Sequence, residues 1–299
     1  MKNILIIGGS NIDYIGKSFD TIRPYDSNIG EISVSFGGVA RNICENLARL
    51  GLPVTFITAI GTDMLSQILL CELEDLGVRV VIPKEKGLST GGYIAIHNQE
   101  GDMELALCDQ QIIKVISKDY LQTLHATITQ CDYLIIDTNL EGEAIDYLLE
   151  KYPHKTIIMD AISINKAKKL VGKIDRIHYL KCNVLEAEAI IGKQGSKEEL
   201  AQEFIKLHAN TVIITDKEKE IFYLEAGKMM KQPTIHVDAQ DIINATGVGD
   251  AMLSGIIYGL VKDKPLSKAI AYGKKLAALT LKCPQANNQK LTKEIIENE

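Results

Sequence analysis

Four consecutive apolar residues, Ile4 to Ile7, stop at the pair Gly8-Gly9. A short apolar run without alternation predicts a strand buried on both faces. From Val39 the pattern changes: apolar positions fall at Val39, Ile43, Leu47 and Leu50, a helical spacing that Gly51 closes. The two periods then take turns. Strands are predicted over 54–60, 78–82, 133–137, 156–160, 177–181 and 211–215. Helices fill the stretches between, one over 65–76 ended by Gly77 and another opened by the capping box Ser196/Glu199. A late β segment follows: 221–224, a turn at 226–228 and a strand through 235–237. Two long helices come next, at about 249–260 and 266–281, and the last fifteen residues read as a polar, weakly packed tail.

Two segments break this rhythm. Residues 11–36 mix polar and aromatic positions and end on the alternation Ile32/Val34/Phe36, while 88–108 hold two short runs around a turn at 98–102. Both predict half-exposed strands of a separate small sheet. The alternation elsewhere predicts a parallel sheet covered by helices on both faces, with ligands at the carboxyl ends of its strands.

Composition narrows the function classes. The chain has 299 residues, 46% hydrophobic and 24% charged, which excludes disorder and allows one large α/β domain or two small ones. A net charge of −6, with no Trp and 5% aromatics, argues against a nucleic-acid partner. The cysteines Cys44, Cys71, Cys108, Cys131, Cys182 and Cys283 form no C-x-x-C pair, so they predict reduced, buried thiols and no structural zinc. The apolar run at 4–7 is too short for a signal core or a membrane span, so the expectation is a cytoplasmic protein without a membrane partner.

The strongest chemical signal is Asn244-Ala245-Thr246-Gly247-Val248-Gly249-Asp250, leading into a helix of small residues. Glycines at a helix mouth let backbone N–H groups approach an anion, and the helix dipole adds positive potential there. Asp250, on the first turn, is placed to accept a proton from a hydroxyl attacking a phosphate. The plainer reading is a glycine turn with Asp250 as a helix-terminal charge. The second signal is Phe36-Gly37-Gly38-Val39-Ala40-Arg41-Asn42, where Asn42 offers an amide to a diol and the plainer reading is an ordinary helix start. Neither the P-loop pattern nor G-x-G-x-x-G occurs; Gly8-Gly9-Ser10-Asn11 does not make the latter.

In this order and about 200 residues apart, the two motifs resemble those of the ribokinase-like (PfkB) family of sugar and nucleoside kinases. Asn11-Ile12-Asp13 and Asn183-x-x-Glu186 match further family motifs, so the resemblance spans roughly 4–282. It implies a three-layer αβα sandwich with a mostly parallel sheet, one kinase unit over 1–299, and a β-sheet lid from 11–36 and 88–108 that often pairs two subunits into a homodimer. It also implies roles. Asn11, Asp13, Gly37, Gly38 and Asn42 would hold sugar hydroxyls, Asp250 would be the general base, and Thr246, Gly247, Val248 and Gly249 the anion hole. Asn183, Thr215 and Lys217 would meet ATP, Glu186 would hold Mg²⁺ through water, and Asn244 marks a site for a monovalent cation such as K⁺.

Within the family, Asp137-Thr138-Asn139-Leu140, Asp160-Ala161-Ile162-Ser163, Lys166 and 101–106 are most similar to the pseudouridine-kinase branch. Asn139, Ser163 and Lys166 would then shape the nucleobase end, although Lys166, beside Lys168 and Lys169, also suits a solvated helix face. The implied reaction is transfer of the ATP γ-phosphate to the 5′-hydroxyl of pseudouridine. Alternatives are a kinase for ribose or an N-linked nucleoside, and a sugar-binding regulator without turnover. Two departures bear on these. The loop Asp216-Lys217-Glu218-Lys219-Glu220 lacks the family's glycine, which predicts a crowded approach to the donor phosphates; and Asn244 replaces an Asp common in relatives. The adenine site, expected around 270–282, shows no decisive motif.

Overall fold

A computed structural model describes residues 2–83, 87–217 and 219–298. Its strands are β1 (Ile4–Ile7), β2 (Asn11–Ser18), β3 (Gly30–Gly37), β4 (Val54–Ile57), β5 (Arg79–Val81), β6 (Gly91–His97), β7 (Met103–Asp109), β8 (Tyr133–Asp137), β9 (Thr156–Asp160), β10 (Tyr179–Asn183), β11 (Thr211–Thr215), β12 (Ile221–Glu225) and β13 (Lys228–Gln232). Its helices are α1 (Val39–Arg49), α2 (Met64–Asp75), α3 (Lys118–Thr123), α4 (His125–Thr129), α5 (Gly142–Lys151), α6 (Ile164–Ala167), α7 (Val184–Ile191), α8 (Lys197–Lys206), α9 (Val248–Val261), α10 (Leu266–Leu281) and α11 (Lys293–Glu297).

β1 shows why its run is apolar without a break. It pairs in parallel with both β4 and β8. Leu5 and Ile7 join a core with α5, α7 and α8, while Ile4 and Ile6 join a second core with α1, α9 and α10. Successive side chains point to opposite faces, so both faces must be apolar. The sheet runs β13-β12-β11-β10-β9-β8-β1-β4-β5, nine strands among the described residues. Among the described residues only the ladders β11–β12 and β12–β13 are antiparallel in it. The αβα layers are therefore as expected.

The rhythm-breaking segments form a second sheet in the order β3-β2-β6-β7. Its register puts Tyr14, Val34, Ile94 and Leu107 in one row of one face, and Asn11 and Asp13 on the other. Glycine φ of +101° at Gly38 turns the chain from this sheet into α1, where a side chain would strike the Gly9 carbonyl oxygen at 2.5 Å.

Four expectations need correction. The last fifteen residues are not a loose tail: Leu291 and Ile296 are buried in the core with α9 and α10, and Asn287 is buried beside α1. Two apolar anchors five residues apart make no periodic stripe, so polarity hid them. The strand expected through 235–237 ends instead at Gln232, because Pro233 has no N–H to continue a ladder. The cysteines are all free, yet only Cys44, Cys131 and Cys182 are buried; Cys71 and Cys108 are exposed. Strand 177–181 is shifted by two residues, to 179–183.

Candidate active site

The site lies where the sheet's carboxyl ends, the mouth of α9 and the polar face of the lid sheet meet. β8 and β9 each end on an aspartate. Asp137 accepts from the backbone N–H of Gly9 (3.0 Å), Ala40 (3.1 Å) and Asn139 (2.9 Å), so one buried carboxylate ties β1, α1 and β8 together. Burial still holds its pKa above the usual range, with these hydrogen bonds opposing the shift. Asp160 Oδ2 accepts from Lys181 Nζ at 3.0 Å, both side chains buried. Burial pulls the Lys181 ammonium down, but Asp160, Asp250 and Glu186 outweigh it and hold Lys181 protonated. Gly249 makes room for it: a Cβ there would stand 2.7 Å from Lys181 Nζ. A fixed positive charge therefore sits beneath the anion-hole motif.

Above this floor α9 begins. Gly247, at φ +77°, is the left-handed residue that opens the helix, and Asp250 is in its first turn. Thr246 N–H donates to Asn244 Oδ1 (2.9 Å), and Asn244 Nδ2 donates to the Pro284 carbonyl (3.1 Å). The side chain of Asn244 thus shapes the loop, with both its amide oxygen and its amide nitrogen engaged. Asp250 is buried and accepts from Asn42 Nδ2 at 2.8 Å. Its pKa is pushed up to about 7, by burial first and then by Asp160, against the hydrogen bond from Asn42 and the charge of Lys181. A carboxyl titrating near neutrality, in the first turn of a helix whose N-cap glycine makes no side-chain cap, is suited to take a proton from a hydroxyl.

The small sheet adds polar groups of its own. Asp13 packs against Gly37, where a side chain would meet Asp13 Oδ2 at 2.0 Å. Its Oδ1 is buried without a partner, and burial pushes its pKa to about 6 despite nearby Arg41. An unpaired buried acceptor on this face is what a sugar hydroxyl would satisfy. Asn11 Oδ1 accepts from Gln110 Nε2 (3.4 Å), and Gln110 Oε1 accepts from Lys166 Nζ (2.9 Å). Lys166 also donates to Asn139 Oδ1, and Asn139 Nδ2 donates to Asp137 Oδ2 (2.8 Å). Lys166 and Asn139 thus line an open cleft of about 600 Å³ with Gln110, Glu141 and Lys169; Lys166 is not on a solvated helix face. Ser163 precedes α6, which carries Lys166, and its side chain makes no capping bond.

A second cleft of about 530 Å³ lies across the α9 mouth, lined by Thr215, Lys217, Val248, Gly249, Met252, Ala277 and Leu281 among others. Its walls are mostly apolar and its α10 residues fall in the stretch expected for an adenine. The loop after β11 makes its turn without glycine, and Lys217 lines the cleft. Lys217 itself takes φ +47°, and Asp216 is held by Lys197 (3.4 Å) and Lys219 (3.1 Å); Glu218 lies outside the described residues. Asn183 and Glu186 bond each other's backbone N–H as the capping box of α7. That engages one Glu186 oxygen, and burial raises the pKa of the group. Among the described residues no cluster of three or more His, Cys, Asp or Glu could hold a metal alone. Glu186, with one oxygen spare, fits an ion held mainly by water and phosphate oxygens.

Asp137, Asp160, Lys181, Gln110, Arg41 and Asn287 were not among the expected site residues. For three of them a signal existed: an aspartate closing each apolar run at 137 and 160, and a lone lysine inside the run at 179–182. A charge inside a buried strand needs a partner.

A model of the pfkB family carbohydrate kinases matches residues 1–293. Pseudouridine kinase of Escherichia coli is 30% identical over 298 residues, covering 97% of this chain and 93% of that protein. A carbohydrate kinase from Agrobacterium tumefaciens superposes with a TM-score of 0.85 at 27% identity, over 99% of this chain and 96% of that one. The Arabidopsis thaliana ribokinase complexed with ribose and ATP shares the fold, with a TM-score of 0.83 at 17% identity over 99% and 98% of the two chains.

Proposed function

The chain belongs to the pfkB family of carbohydrate kinases, with the ribokinase-like fold, and on that premise we propose that it phosphorylates the 5′-hydroxyl of pseudouridine with ATP. The observation that carries the substrate is Lys166, shared between Gln110 and Asn139 at the edge of the lid cleft. An ammonium has three donors and no acceptor, so with two engaged it offers one N–H to a carbonyl oxygen of a uracil ring. The relative at 30% identity agrees with that reading.

In this reading Asn11, Asp13, Gly38 and Asn42 hold the ribosyl hydroxyls, and Ser163 lies beside the base. Asp250 accepts the 5′-hydroxyl proton as the oxygen bonds to the γ-phosphorus; the bond from that phosphorus to the bridging oxygen breaks, and ADP leaves. The N–H groups of Gly247, Val248 and Gly249, with Lys181 beneath, stabilise the charge on the transferring group, while the Thr246 N–H, held by Asn244 Oδ1, shapes the loop before them. Thr215 and Lys217 border the donor. Mg²⁺ on the donor phosphates would neutralise part of their charge, and Asn183 and Glu186 would hold it through water. Membership in a kinase family and a buried Asp250 at the mouth of α9 favour turnover over a sugar-binding regulator.

A second copy of the chain is the natural cover for the outer lid face, where Ile32 is 78% and Leu107 65% exposed in one apolar patch. The free cysteines suit the cytoplasm. Initial rates with pseudouridine, uridine, adenosine and ribose test the substrate. Pseudouridine is expected to lead in kcat/KM by about tenfold or more, which is about 1.4 kcal/mol of transition-state preference. A tenfold lead for any other would overturn it.

A further inference from the structure

We infer that Asn287, in the C-terminal segment, is a positioning residue for the catalytic centre. Asn287 Nδ2 donates to the backbone carbonyl of Asn42 at 2.9 Å, and its Oδ1 accepts from Arg41 Nη1 at 3.3 Å. The same Arg41 nitrogen reaches the Phe36 carbonyl at 3.0 Å and Asn42 Oδ1 at 3.4 Å. With Oδ1 turned to Arg41, the amide of Asn42 presents Nδ2 to Asp250 at 2.8 Å. Rotating that amide by half a turn would set its oxygen against the Asp250 carboxylate, so the arginine selects the orientation; Glu45, paired with its other end at 2.7 Å, and Asn287 together hold the arginine, and Asn287 also holds the start of α1. Asn287 is 2% exposed and both ends of its amide are engaged, so its removal would leave buried polar groups without partners.

The neighbours of Asn287 act on the other half of the site. Ala286 fills the space beside Gly247, its carbonyl oxygen 2.3 Å from where a Cβ would stand, and the Pro284 carbonyl holds Asn244. Gln289 bonds Glu45 at 3.1 Å, and Arg49 donates to the Gln289 carbonyl at 2.9 Å. One segment therefore clamps the sugar-side helix α1 and the anion-hole loop in a single register. The inference rests on reading Asn42 and Asp250 as the sugar clamp and the base.

The test compares Asn287→Ala and Asn287→Asp with Asn42→Ala and the double variants, measuring kcat and KM for the nucleoside and KM for ATP. Asn287→Asp keeps the shape and the acceptor toward Arg41 but removes the donor to Asn42. Both Asn287 variants are expected to raise the nucleoside KM about five- to twentyfold and to lower kcat, with the ATP KM within about twofold. In the Asn42→Ala background they are expected to add little, because the group they position is gone. Unchanged nucleoside KM in Asn287→Asp, or additive effects in the double variants, overturns the positioning role. Asn42→Ala with wild-type constants would instead overturn the site assignment itself.

Discussion

Burial and the neighbouring Asp160 bring the carboxyl of Asp250 to about 7, so near neutral pH it is split between base and acid. Only the ionised form accepts a proton. The acid limb of kcat/KM is therefore expected near pH 7, with activity rising toward pH 8. Asp250→Asn should lower kcat by about 10²–10⁴-fold with the nucleoside KM little changed. Stability should move the other way. A folded-state pKa above the unfolded one favours the fold below the unfolded pKa and loses that advantage as pH rises through the folded value. Above about pH 7 the buried carboxylate is charged, whereas an amide is not. The melting temperature of Asp250→Asn relative to the parent should thus be higher at pH 8.5 than at pH 5.5, as calorimetry at both pH values would show. A constant difference would mean that Asp250 does not titrate there.

Two elements carry the next predictions. The α9 mouth depends on Gly247: alanine there meets both a left-handed φ and the Ala286 backbone. Gly247→Ala should cost about 1–3 kcal/mol in stability and reduce kcat, since relieving the clash displaces N–H groups from the anion hole. Urea titration and steady-state rates read the two effects separately. The lid sheet carries the other. Its polar face was legible from Asn11 and Asp13, and its apolar face from the Ile32/Val34/Phe36 alternation. Leu107→Glu should convert a dimer to a monomer in light scattering, leaving helix content unchanged; a wild-type chain already monomeric at micromolar concentration would refute the lid interface. That Lys217 enters a left-handed turn was only partly legible, because Asp216 beside it is held both by nearby Lys219 and by Lys197 on α8, nineteen positions away.

At the scale of the whole molecule, the C-terminal segment closes the structure. Ending the chain after Pro284 removes Leu291 and Ile296 from the core, about 3–6 kcal/mol of burial, together with the Asn287 clamp. Thermal melts should show a large loss of stability, and activity should fall about a hundredfold or more. Retained activity would mean that α1 and α9 keep their register unaided. Local patterns by themselves determined the strand–helix alternation, the lid as a separate sheet, and the glycine turns before α1 and α9. Each depends on residues within a few positions of one another, through period, φ or helix-end polarity. Only the tertiary structure decided what faces what: Lys181 beneath Gly249, Gln110 between Asn11 and Lys166, and Asn287 against Asn42. These contacts join residues tens to hundreds of positions apart. Their partners are chosen by how the layers pack, a choice no local period records.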